Sequence, residues 1–74
     1  MRLSVEGAAS PELPLRLLNL LAQQGAVVEH AVLTLEEGGY RILLGIAPVA
    51  AERGALIVEK IRAMVLVGAA EVIG

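Results

Sequence analysis

Cysteine, tryptophan and phenylalanine are all missing from this 74-residue sequence, and tyrosine occurs once. Without thiols there is no disulfide framework, no thiolate nucleophile and no zinc–thiolate centre. Without aromatic side chains there is no platform on which bases stack, and a net charge of −2 repels phosphate, so nucleic acid is not an expected partner. Charged residues make up only 19% of the chain, below the quarter or so usual for soluble domains. Long hydrophobic runs are missing too. The longest uncharged stretch, Leu17 to Val28, falls short of the ~20 residues a membrane-spanning helix needs, so no membrane is expected as partner. Arg2 and then Glu6 interrupt the apolar start of the chain, which does not fit a secretory or transit peptide, and the cytoplasm is the expected location. One histidine among scattered carboxylates has no metal-ligand spacing, and neither a metal nor a cofactor is expected.

What the sequence has in excess is apolar surface. Some 57% of its residues are hydrophobic. A chain of this length makes one domain, spanning residues 1–74, and such a domain buries only about 60% of the surface its unfolded chain exposes. The surplus calls for a partner, and a homodimer is the simplest one.

Met1 to Ala8 alternates, with Leu3, Val5 and Gly7 on one side and Arg2, Ser4 and Glu6 on the other, the period-two pattern of a half-buried strand. Ser10-Pro11-Glu12 then reads as a helix start: a hydroxyl to cap free N–H groups, a proline where no N–H is missed, and a carboxylate at the positive helix end. Pro14 would break a helix interior, so the regular helix is expected to begin at Glu12 or Leu13. Leu13, Leu17, Leu20 and Leu21, with Leu18 beside them, form its apolar stripe, and Gly25 stops it.

Ala26 to Leu35 and Tyr40 to Ile46 are strand-like runs joined by Glu36-Glu37-Gly38-Gly39, a hairpin whose glycines supply positive φ. Strict alternation in the first of these places Val28 and Val32 on one side and Val27, Ala31, Leu33 and Leu35 on the other. Both sides are thus partly apolar, as in a strand covered by another subunit. After Pro48 the helical period returns, with Gly54, Ile57, Val58, Ile61, Met64 and Val65 on one side and Glu52, Arg53, Glu59, Lys60 and Arg62 mostly on the solvated other. Gly68 is expected to break this segment before a last strand, Ala70 to Ile73.

The order is βαββαβ. Two right-handed crossovers and a central hairpin give an α+β, ferredoxin-like sandwich: a four-stranded antiparallel sheet, spatial order 4-1-3-2, with both helices on one face. The opposite face and the edge of the second strand stay open, and an apolar edge is a template for another chain.

The segment PELPLRLLNLLAQQG, Pro11 to Gly25, with Val28-Glu29 after it, resembles the amino-acid-binding regulatory modules called ACT domains, particularly those of acetolactate synthase small subunits. That family opens its first helix with Pro-Gly-x-Leu, closes it with Gly, and follows it with a strand carrying Ile-Glu or Val-Glu. Here the spacing from Pro to Gly is kept without a gap, and GGYRILLGI and ALIVEKIRAM extend the similarity over essentially the whole chain. The resemblance implies a dimer that binds a small molecule, an amino acid in particular, and acts on a biosynthetic enzyme such as acetolactate synthase. The site it implies joins Ser10, Pro11, Glu12 and Leu13 of one copy to Val28, Glu29 and His30 of the other. Glu12 stands where the family has Gly and Pro14 where it has Leu, which points to a ligand with an amino group, or to a module with no ligand that serves assembly.

The plainer readings stand beside these. A helix N-terminus presents unpaired N–H groups to an anion, but Ser10-Pro11-Glu12 is also an ordinary cap. His30 titrates near neutral pH, yet a lone histidine is usually structural or solvated. Glu36 and Glu37 precede a turn and point to water, and Ser4, Ser10, Thr34 and Tyr40, the only hydroxyl residues, have no histidine–acid partner in view, so no catalysis is expected.

Overall fold

In a computed structural model describing residues 1–74, alternation in the first strand, β1 (Arg2–Gly7), buries Leu3 and Val5 completely and leaves Arg2 and Glu6 in solvent. The helix α1 (Glu12–Gln23) begins where Pro14 becomes harmless, in the first turn, and buries Leu13, Leu17 and Leu21. Leu20 packs partly against the core, whereas Leu18 stays exposed. Gly25, at φ +72°, turns the chain out of α1.

The hairpin strands are β2 (Val28–Glu36) and β3 (Gly39–Ile46). Gly39 takes φ +130°, and a Cβ on it would run into the Gly7 carbonyl, so both positive φ and the close approach to β1 require glycine there; Gly38 has no positive φ. The helix α2 (Ala51–Arg62) and β4 (Val67–Val72) complete the order, and the sheet runs β2-β3-β1-β4, all antiparallel, as expected. The buried core unites Leu3 and Val5, Ile42, Leu44 and Ile46 of β3, Ala70 of β4, the α1 leucines, and Ile57, Val58 and Ile61 of α2. No residue of β2 is buried.

Three expectations change. The helix α2 ends at Arg62, so Met64 and Val65 lie in the following turn and Val65 is 94% exposed. The chain has to reverse there because the Leu66 carbonyl accepts the Ala8 N–H at 2.9 Å, which ties the turn to the end of β1. Gly68 lies inside β4, which starts at Val67; the register slips between Glu6 and Gly7 to take up the extra residue. The third change is in β2. Its register jumps between Val28, opposite Ile46, and His30, opposite Gly45. This bulge at Glu29 returns Val28 to the helix-facing side with Ala31, Leu33 and Leu35, while His30, Val32 and Thr34 face away from the helices.

Candidate ligand site and the open sheet edge

The first turn of α1 has no N–H to spare. Pro11 and Pro14 carry none, the Glu12 N–H donates to Ser10 Oγ at 3.2 Å, and the Leu13 N–H donates to the Ser10 carbonyl at 3.1 Å. Glu12 itself holds Arg16, with Oε1 2.8 Å from Nη2. The expected anion-binding helix start is therefore a self-satisfied cap, and sequence alone leaves this open because it does not show where the Ser10 hydroxyl points. Ser10 is half-buried, Pro11 and Glu12 are exposed, and Leu13 is wholly committed to the core.

The other half of the expected site lies elsewhere. Val28, Glu29 and His30 begin β2, just past the C-terminal end of α1, and twelve helical residues separate the two groups by about 18 Å. One chain does not bring them together, and none of the seven lines a cleft. His30 lies across the helix-free face with its ring over Gly45, where a Cβ would run into it.

Alternation of antiparallel bonds shows which backbone groups face outward. The Ile46 N–H donates to the Met1 carbonyl and the Ala47 N–H to the Val27 carbonyl, so the odd residues of β3 bond to β2. Their partners His30, Val32 and Thr34 turn their backbone polar groups inward, which leaves those of Ala31, Leu33 and Leu35 on the rim. No side chain reaches them. The rim is also apolar: Pro14, Leu17 and Leu18 of α1 and Ala31 and Leu33 of β2 line a crevice too narrow for water, and Leu15 and Leu35 are 70% and 65% exposed.

Two larger clefts lie outside this crevice. One, about 520 Å³, runs between Met1, the start of α2 and Val72. The other, about 410 Å³, lies at the far end of the sheet among Gly7, Ala8, Glu36, Tyr40 and the turn at Val65–Val67. The sequence singled out none of these as site residues; only Gly7, a glycine closing an alternating strand, carried a signal. A Cβ there would strike the Leu66 carbonyl. Arg41 spans this end, with Nε 3.2 Å from Glu36 and Nη2 4.0 Å from Glu6. The hydrogen bond and charge of Glu36, and then the charge of Glu6, hold the Arg41 guanidinium above its ordinary pKa. On the other margin Arg62, expected merely to face solvent, donates from Nε to the Ala70 carbonyl at 2.9 Å, with Nη1 3.5 Å from Glu59. No helix is long and apolar enough to cross a membrane.

No protein-family model matches this sequence, and no curated protein does. Among solved structures, the ACT domain from GTP pyrophosphokinase of Chlorobium tepidum superposes with a TM-score of 0.82, covering 95% of this chain and 91% of that one at 14% identity. The fold is that of an ACT domain. The shared backbone path carries the strand order β2-β3-β1-β4, with β2 at one margin of the sheet. At this identity the likeness is one of backbone path, and the ligand chemistry has to be argued from this chain's own side chains.

Proposed function

We propose that this chain is a non-catalytic regulatory module that works as a homodimer and binds a small molecule, an amino acid or a related amine, between its two copies. The observation that supports it is the bare rim of β2. Pairing of two β2 strands about a twofold axis satisfies the outward groups of Ala31, Leu33 and Leu35, extends the sheet to eight strands, and brings the apolar borders of the two copies together. Antiparallel pairing also sets the start of one β2 beside the end of the other. That end, Leu35, is joined through Tyr40 to Gly7, from which the chain runs to Ser10. Val28, Glu29 and His30 of one copy would thereby approach Ser10, Pro11 and Glu12 of the second, with Leu13 left in the core beneath them, so the two separated groups meet only across the proposed dimer. With no free N–H at α1 and with Glu29 brought beside the Glu12–Arg16 pair, this place suits an ammonium better than a carboxylate. By resemblance to acetolactate synthase small subunits, the target is a biosynthetic enzyme of that kind, and recovery of such an enzyme with the tagged chain from native cells tests it.

A thermal-shift panel of the twenty amino acids tests the ligand. At 100 times its dissociation constant a bound ligand adds about 2.7 kcal/mol of stability, and a panel without any shift rejects an amino-acid ligand.

A second reading is an assembly module without ligand. It is favoured by the consumption of every first-turn donor in α1. Glu12→Gly separates the two: amino-acid binding gained by the variant marks a ligand site closed by Glu12, whereas intact dimerisation with no binding in either protein marks an assembly module.

A further inference from the structure

We propose that Arg62 closes the β4 edge of the sheet, so that pairing is confined to the β2 edge and assembly stops at two copies. The inference rests on the β2-paired dimer proposed above. A sheet of four strands has two rims. If both accept a copy, each new copy exposes another rim and the sheet grows without limit.

On β4 the Ile73 N–H donates to the Arg2 carbonyl, so Ile73 and Glu71 turn inward, and Val72 and Ala70 turn their backbone groups to the rim. The strand itself offers little defence. Its sequence, VGAAEV, has no lysine, arginine or proline, and the Val72 and Ile73 side chains are exposed. An incoming strand would need the Ala70 carbonyl in the middle of this rim as an acceptor. Arg62 Nε already occupies it, and the guanidinium brings a charge to the line along which that strand would lie. Glu59, one turn back on α2, steadies the guanidinium. Nothing comparable reaches the rim of β2.

Sedimentation velocity across a wide concentration range tests this on the whole chain. The wild type is expected at twice the 7.7 kDa of one chain, with no larger species at high concentration. Arg62→Ala is expected to form species beyond the dimer whose average mass rises with concentration. Arg62→Met, which keeps the packing of the side-chain stem and loses its donors, should do the same if the alanine variant is poorly folded. Adding Val72→Pro to either variant removes an outward N–H that no group in the chain uses, and should return the protein to a dimer. A folded Arg62→Met variant that stays dimeric at every concentration overturns the role of Arg62 and leaves the β2 dimer standing. A wild-type protein that is monomeric throughout overturns the β2 dimer instead; Arg62 then still guards its edge if Arg62→Met alone forms dimers that Val72→Pro abolishes.

Discussion

The two rims of the sheet solve the same problem in opposite ways. Both β2 and β4 present unpaired backbone groups, and neither carries the lysine or proline that commonly protects an edge. The margin at β4 is short, is built of small residues around the buried Ala70, and is hooked by an arginine from α2. The margin at β2 is nine residues long, buries none of them, and borders a leucine-lined crevice. A strand's own composition therefore says little about whether its edge is available. What decides is whether a neighbouring element reaches over it: α2 reaches β4, and α1, whose buried leucines turn inward, leaves β2 bare.

The largest effect is expected from Leu33→Pro. The Leu33 N–H faces the rim and bonds to nothing within the chain, so the monomer loses no ladder bond, whereas the proposed β2-paired dimer would lose one from each copy and meet a proline ring in the seam. At about 0.5–1.5 kcal/mol per hydrogen bond, with the steric clash added, dimer affinity should fall roughly 100-fold. Sedimentation should show monomer with an unchanged far-ultraviolet circular dichroism spectrum. A dimer that survives this change does not pair through β2.

Leu35→Ala sharpens the same contrast with a smaller effect. At 65% exposure this side chain contributes little to the monomer, so its removal should leave dilute-solution stability nearly unchanged while weakening the dimer by about 1–2 kcal/mol, roughly tenfold. Val65→Ala is the matched control, since Val65 is more exposed still and belongs to the turn before β4 rather than to β2. Equal losses in the two variants, measured by sedimentation equilibrium, would remove the special standing of the β2 border.

Much of this architecture is legible in the residues. Alternation in Met1 to Ala8, the proline-to-glycine frame from Pro11 to Gly25, and the Gly38-Gly39 turn are local signals, and each element they mark is present. The end of α2 is not legible, because the apolar spacing continues through Met64 and Val65 while the Ala8–Leu66 hydrogen bond, a contact distant in sequence, reverses the chain. The bulge at Glu29 escapes for a related reason: its signal lies in the pairing with Gly45 and Ile46, and strict alternation within β2 assigns Val28 to the wrong face. The candidate site was legible as residue types and not as a place. Ser10 and Glu12 read first as a cap and second as ligand groups, and the Ser10 hydroxyl accepting the Glu12 N–H decides for the cap. Arg62 looked like part of a solvated helix face because a side chain that reaches a backbone carbonyl leaves no periodic trace.

The smallest expected effect belongs to Arg41, which straps the end of β2 to the interior strands through Glu36 and Glu6. Both pairs are exposed, so their contribution is small, and Arg41→Gln should lower Tm by only a few degrees. Its pH dependence follows from the direction of the shift. A base whose folded pKa lies above its unfolded value contributes stability that is complete below the unfolded value and disappears only as pH rises through the folded one. For Arg41 both lie in strongly alkaline solution, so the difference in Tm between wild type and Arg41→Gln should stay flat from neutral pH up to that limit. It should shrink in about 1 M salt, where the Debye length is about 3 Å. A difference that persists undiminished in salt would mean that Arg41 holds the β2 end by packing rather than by charge.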